Sequence, residues 1–336
     1  YEVTEKGLHE NVSLWNIWLE NKKDEDDFGI EENYPKKVNS TGIPYFKNVN
    51  ELHNILKLEH VDCESYHMFT ISKKHKNRII TAPSKNLKLR QRWILKYILN
   101  KVELPDCVHG FVEHKSIVTN AKCHVKKKEI GCLDIKDFFP SISAKNIFKV
   151  FKELGYNTEL ASELCMLCTF EDILPQGAPT SPMLANIVFK PIDLEILEYT
   201  KKSNLTYSRY ADDITISGDI DIYEPLYEIK KIIEKYGFEI NENKIHVMKD
   251  NYRKIVTGLV VSDVVKVPKK YKRKFRQEIY YCQKFGIEQH LKNIGRTSAV
   301  NFKEYMYGKA YFIKMVEEEA GENFMEQLDE IFSILN

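Results

Sequence analysis

A chain of 336 residues, 43% of them apolar, can bury a large core and fold into more than one lobe. No apolar run approaches the ~18–20 residues of a membrane span and no signal peptide is visible, which argues against a membrane partner and for a soluble globular protein. The net charge of +1 conceals a segregated distribution, because basic and acidic residues cluster in different stretches, as on a polyanion-binding face.

The chain opens at Tyr1 rather than Met, so the natural N-terminus is expected to be missing or processed. Asn11 to Asn21 reads as a helix with Leu14, Trp15 and Trp18 on one face, and the acidic stretch from Lys22 to Asn33 as a loop. A short helix follows, with Asn50 as N-cap and Leu52, Ile55 and Leu56 as its apolar stripe. Tyr66–Ile71 and Arg78–Ala82 read as strands around a basic turn that carries Lys73 and Lys74. This turn opens the first basic block, ten Lys or Arg and no acid between Ser65 and Val102. Residues 87–100 read as an amphipathic helix within it. Either basic block taken alone also suits a solvated helix face.

Ile130–Ile135 reads as a buried strand with Asp134 near its end, followed by a helix capped by Ser143 through about Leu154 and another over 158–169. The second contains Cys165 and Cys168, a lone C-x-x-C that reads as core cysteine rather than a zinc site. The seven Cys show no framework spacing, which points to reduced thiols and a cytoplasmic setting. Leu174–Pro182 is a Pro- and Gly-rich loop leading into a helix, with Ser181 as N-cap, Pro182 at the first helical position and Pro191 as a bend. Tyr207–Ser217 alternates apolar and polar residues around Asp212 and Asp213, the pattern of a hairpin with both carboxylates at its turn. Residues 223–236 read as a helix ended by Gly237, and Lys254–Val261 as one strand with Gly258 allowing close backbone approach. The second basic block, Lys266 to Arg276, starts a helix to about Phe285. The remainder reads as helical, with Tyr305, Tyr307, Tyr311, Phe312 and Met315 as apolar contacts and an acidic run at Glu317–Glu319.

Two adjacent carboxylates repel, so a bare fold gains little from pairing them, although Asp also favours ordinary turns. Divalent cations of the Mg²⁺ type remove the repulsion, because they take oxygen ligands and phosphates. The simplest chemistry for Asp134, Asp212 and Asp213 together is two-metal phosphoryl transfer, with Asp134 and Asp212 bridging both Mg²⁺ ions and Asp213 ligating one or tuning the site. The basic hairpin and basic faces fit the same scheme.

Four motifs carry a resemblance to reverse transcriptases, and more narrowly to those of bacterial retrons. They are Leu133–Ile142 (LDIKDFFPSI), Leu174–Pro182 (LPQGAPTSP), Tyr210–Asp213 (YADD) and Gly237–Lys244 (GFEINENK), in the family's order. The wider resemblance spans about residues 66 to 285. Asn120–His124 resembles the retron N-A-x-x-H element and Val256–Gly258 the V-T-G element. The resemblance implies an α/β (α+β) right-hand polymerase with fingers, a ferredoxin-like antiparallel palm and a helical thumb. Its divisions would be an N-terminal helical extension over 1–65, fingers and palm over 66–262 and a thumb over 263–336.

The resemblance also implies roles. Asp134, Asp212 and Asp213 are the catalytic and metal-binding carboxylates, with Ile135 in the metal set and the nucleotide set. Lys73 and Arg78 grip the incoming dNTP, Phe139 is the steric gate against a 2′-hydroxyl, Gln176 positions the nucleotide and Lys244 lies near the leaving pyrophosphate. Asn120, His124, Thr257, Lys270, Arg273 and Lys274 contact RNA, although His124 read alone equally suits a satisfied structural histidine. The implied partners are a cognate noncoding RNA, its branched RNA–DNA product (msDNA) and an effector protein of an antiphage defence system. Two rivals stay open. One is another bacterial reverse transcriptase of the group II intron, diversity-generating or abortive-infection type; the chain has no room for an intron enzyme's maturase and endonuclease extension. The other is an inactive RNA-binding scaffold, against which the full set of aspartates stands.

Overall fold

A computed structural model of the chain describes residues 37–58, 66–72, 77–250, 252–295 and 301–333. The expected helix over 11–21, the acidic loop after it, and Lys73 and Lys74 lie outside these residues.

Helix α1 (Val49–Leu56) is capped by Asn48 rather than Asn50: the Asn48 side chain accepts the Glu51 N–H at 3.0 Å. The cap thus lies three residues before the donor it satisfies, and Asn50 falls inside the first turn. Strands β1 (Tyr66–Ser72) and β2 (Asn77–Pro83) form an antiparallel ribbon. Pro83 ends it, and Ser84 caps α2 (Lys85–Tyr97). Helix α3 (Ile117–Lys122) starts in a Ser116–Thr119 capping box.

The centre of the molecule is a four-stranded antiparallel sheet. Its strands are β3 (Glu129–Asp134), β4 (Thr206–Tyr210), β5 (Asp213–Gly218) and β6 (His246–Met248). Between β3 and β4 come α4 (Ala144–Glu153), α5 (Thr158–Cys168) and α6 (Ser181–Lys202), and α7 (Tyr223–Lys235) joins β5 to β6. The spatial order β4-β5-β3-β6 places the first and third strands of the unit in the middle, the arrangement of a ferredoxin-like sheet. Ser143 caps α4, and Cys165 and Cys168 are buried in α5, both as expected.

Helix α6 begins one residue earlier than the cap assignment implied. Ser181 is its first residue, and the Ser181 hydroxyl donates to the Pro175 carbonyl at 2.7 Å instead of capping. The stretch 254–261 is a hairpin rather than one strand: β7 (Lys254–Val256) and β8 (Leu259–Val261) pair across Thr257-Gly258. Thr257 and Gly258 both have positive φ, 45° and 80°, which a two-residue turn of this hand requires and a continuous strand forbids. Strand β9 (Val265–Lys266) completes this small sheet.

Helix α8 (Lys269–Phe285) occupies the expected span, and α9 (Ile287–Asn293), α10 (Phe302–Val316) and α11 (Glu318–Ser333) follow. Phe312 is buried in α10, and Tyr305 and Tyr307 pack partly against the core. Tyr311 and Met315, by contrast, are exposed, so they are not the apolar contacts that periodicity suggested.

Two apolar cores lie on opposite faces of the central sheet, because successive strand residues point to opposite sides. Leu133, Ile214 and Ile216 face a core with Phe138, Phe189 and Ile229, which also takes in Ile43, Phe46, Leu52 and Leu56. Ile130 and Met248 face a second core with Ile117, Val256, Leu259, Phe275, Met306 and Phe324.

Candidate active site

Strand register brings the carboxylates together. Asp134, the last residue of β3, is the direct partner of Asp213, the first of β5, and Asp212 lies in the turn between β4 and β5. Ala211 in that turn has a φ of 57°, the left-handed conformation a two-residue hairpin turn needs at its first position. The Ile135 N–H donates to the Asp212 carbonyl at 3.0 Å, and the Asn241 N–H to the Asp134 carbonyl at 2.8 Å. The turn and both neighbouring strands are therefore locked by backbone bonds. The Ile135 side chain is buried, so only its main chain can face the site.

Asp134 is 5% exposed, and its Oδ2 accepts the Lys244 ammonium at 2.6 Å. Burial alone would pull the Lys244 pKa down. The hydrogen bond to Asp134 and the charges of Asp134, Asp212 and Asp213 outweigh that and hold it above its ordinary value. Three carboxylates thus act on one cation.

Beneath the turn lies a fully buried pair that sequence reasoning missed. Arg209 donates from Nε to Asp193 Oδ1 at 2.8 Å and from Nη2 to Oδ2 at 2.6 Å. Its Nη1 donates to Asn186 Oδ1 and to the Ala211 carbonyl, both at 3.0 Å. The Tyr207 hydroxyl adds a 2.7 Å bond to Asp193, and the guanidinium lies 4.6 Å from the centre of the Phe189 ring. Burial would favour loss of the Arg209 proton, but the charge and hydrogen bonds of Asp193 raise its pKa and keep it charged. Two signals were available: Arg209 shares the inward face of β4 with Tyr207, and Asp193 interrupts the apolar stripe of α6. An inward charge needs a buried partner.

The Asn186 amide donates to the Gly110 carbonyl at 2.9 Å. Gly110 lies so close to the turn that an added Cβ would meet the Ala211 nitrogen at 2.4 Å. Between β2 and the Leu174–Pro182 loop, the Thr81 N–H donates to the Gln176 carbonyl at 2.8 Å. Gly177, with a φ of 137°, passes so close that a Cβ would meet the Thr81 carbonyl oxygen at 2.8 Å. Gln176 is half-buried at this junction, and Arg78 lies on the same strand, β2. Phe138 is a core ring against Phe189 and Phe238, whereas Phe139 is only half-buried.

Residues 71–277 match the reverse transcriptase (RNA-dependent DNA polymerase) family. Over 307 residues the chain is 32% identical to the retron Ec86 reverse transcriptase of Escherichia coli, covering 85% of this chain and 95% of that one. This chain belongs to the retron reverse transcriptases. It is also 36% identical to the retron Se72 reverse transcriptase of Salmonella heidelberg over 68% of this chain and 64% of that one. Among solved structures, apo telomerase from Candida Tropicalis aligns with a TM-score of 0.49 at 12% identity, over 81% of this chain and 57% of that one. The retron reverse transcriptase is an RNA-directed DNA polymerase, and its mixed helical and antiparallel architecture is that of the polymerase fold. No helix among the described residues is long and apolar enough to cross a membrane.

The family implies a divalent metal. Among the described residues no three His, Cys, Asp or Glu side chains already form a ligand cluster; the Lys244 ammonium is the cation at Asp134 instead. The donor set still fits such an ion, because hard carboxylate oxygens from Asp134, Asp212 and Asp213 act on one positive charge.

The residues expected to touch RNA divide. Asn120 and His124 are fully buried. The His124 ring bridges the Ser217 and Ser208 hydroxyls, each at 2.7 Å, and burial lowers its pKa to about 3, with His109 and Lys127 adding to the effect. The expected direct RNA contact by these two side chains is therefore corrected: neither has an exposed edge, and His124 satisfies two hydroxyls on a covered sheet face. The half-buried Thr257 donates its hydroxyl to the Ile117 carbonyl at 3.2 Å, tying the β7–β8 turn to α3. On α8, Phe275, Ile279 and Cys282 face the core, Lys270 and Arg273 are exposed and Lys274 is half-buried. Lys272 turns back to Glu317 at 2.5 Å, so part of the acidic run anchors the basic helix.

Proposed function

We propose that this retron reverse transcriptase copies part of its own structured noncoding RNA into branched RNA-linked DNA, primed from a guanosine 2′-OH. It would do so in the cytoplasm, with an effector protein, as part of an antiphage defence system. The facing of Asp134 and Asp213 across the strand register, with Lys244 bound between carboxylate charges, carries the catalytic part of this reading. Asp134, Asp212 and Asp213, with the main chain of Ile135, would hold two Mg²⁺ ions. When bound, these would activate the attacking hydroxyl and stabilise the leaving oxygen.

The chain's own residues supply position and charge. Arg78 and Lys73 would grip the triphosphate, and Gln176 would orient it from the loop stitched to β2. Phe139, half-buried against Phe111 and Phe138, would clash with a 2′-hydroxyl and favour dNTPs. Lys244, held charged at Asp134, would deliver a proton to the departing pyrophosphate. Residues 263–336 would act as the thumb, with Lys270, Arg273 and Lys274 following the duplex backbone by charge and Thr257 at its approach. Recognition of structured RNA through backbone and 2′-OH contacts suits such basic faces.

The test is recovery of the nucleic acid that co-purifies with the protein, comparing wild type with Asp212→Ala combined with Asp213→Ala. After RNase treatment, one short DNA joined through a 2′–5′ branch, absent from the variant, is expected. RNA alone recovered equally with both proteins would favour an inactive scaffold. Heterogeneous or untemplated DNA would favour another class of reverse transcriptase.

A further inference from the structure

Phe111 follows the glycine that abuts the catalytic turn, and its backbone is left-handed, with a φ of 60°. A bulky residue in that region is an outlier that persists only where its surroundings over-determine it. Here they do. The His109 N–H donates to the Arg209 carbonyl at 2.8 Å, and the Gly110 carbonyl is held by Asn186 at 2.9 Å. The resulting bend keeps the Phe111 ring out of the core, 37% exposed. The ring stands edge-on to Phe139, with centroids 6.4 Å apart and planes at 63°, and 6.4 Å from Tyr210. Phe139 meets the core ring of Phe138 at 5.7 Å, so it has a fixed neighbour on one side and Phe111 on another.

We propose that Phe111 is a positioning residue for sugar discrimination, a buttress that stops the Phe139 ring from yielding to a 2′-hydroxyl. The inference rests on the reading of Phe139 as the gate. A ring rejects a hydroxyl only as firmly as it is itself held, and an aromatic side chain with a broad second torsion is held by its neighbours. Edge-to-face packing supplies such a hold with a defined geometry. The strained backbone at Phe111 then has a purpose: it presents the ring to Phe139 rather than to the interior.

The experiment is single-nucleotide incorporation on a defined RNA template and primer, measuring kcat/KM for a dNTP and the matching rNTP. The proteins are wild type, Phe111→Ala, Phe111→Leu, Phe111→Tyr, Phe139→Ala and the Phe111→Ala/Phe139→Ala double variant. Phe111→Ala is expected to lower the dNTP-to-rNTP ratio roughly tenfold, the scale of discrimination by a steric wall. Phe111→Tyr should preserve the ratio, Phe139→Ala should lower it further, and the double variant should match Phe139→Ala alone. Melting curves report folding, and Phe111→Leu carries the test if the alanine variant does not fold. A ratio that falls with Phe139→Ala but not with the variants that remove the Phe111 ring overturns the buttress and leaves the gate standing. An unchanged ratio with Phe139→Ala overturns the gate reading and the buttress with it. Equal losses for dNTP and rNTP with Phe111→Ala also overturn the buttress, because they report a general displacement of the turn.

Discussion

Two carboxylate–cation pairs adjoin the β4–β5 turn. Asp193–Arg209 has no exposed side-chain surface and satisfies its donors with Asn186 and the Ala211 carbonyl. Asp134–Lys244 joins a buried carboxylate to an ammonium on a side chain that is 56% exposed. The first pair cannot exchange its partner without leaving a charge stranded in the interior. The second can, since Lys244 can return to water at little cost. The comparison separates what holds the site from what works in it.

The sharpest test of that division removes the carboxylates proposed to be catalytic. Asp212→Asn with Asp213→Asn should lower polymerisation ~10⁴-fold or more, while the melting temperature stays within a few degrees of wild type. A large fall in melting temperature would show that these groups hold the fold. Next in size, Arg209→Met or Asp193→Leu should each destabilise the protein by ~3–5 kcal/mol, because one buried charge is left unpaired. The two changes combined should cost less than either alone, as measured by chemical denaturation. Additive losses would break the view of the pair as one unit. Lys244→Gln should lower kcat roughly 10²-fold, the scale of one proton-transfer group, with little effect on stability. An equal loss of stability would place Lys244 with the structural pair.

The smallest effect is in pH. Burial lowers the His124 pKa to about 3 and, chiefly through burial with Lys115 adding, that of His109 to about 4, against 6.5 when unperturbed. Between these values and 6.5 the unfolded chain binds more protons than the folded one. Stability is therefore fully present above pH 6.5 and falls as pH drops, by up to ~1.4 kcal/mol per pH unit for each histidine. Denaturation midpoints between pH 7 and 4 should show this slope, and His124→Gln should flatten it while lowering stability at pH 7. An unchanged slope would show that His124 is protonated in the folded state.

Much of the site was legible because it is local. Asp212 and Asp213 announce their turn by alternation on either side, and Asp134 ends an apolar run. The family resemblance carried by the motifs implied an antiparallel palm, and the sheet order agrees with it. What escaped is pairing across distance. Arg209 and Asp193 are 16 residues apart on a strand and a helix, and neither residue names the other. For His124 the residue type was visible but its burial was not, because the burial depends on α3 covering a sheet face that carries Ser208 and Ser217. The hairpin at 254–261 was read as one strand because Thr257 gives no outward sign of a left-handed backbone, which its Thr-Gly pairing in the turn imposes.

The backbone bond from Thr81 to Gln176 gears strand β2 and the Leu174–Pro182 loop together. The β1–β2 ribbon cannot swing as a loose flap while that bond stands, because the loop beneath it is dragged along. That loop is tied in turn to the head of α6 through Ser181 and Pro175. A displacement of the ribbon would then travel as a lever stroke, through the loop to the long helix that carries Asp193.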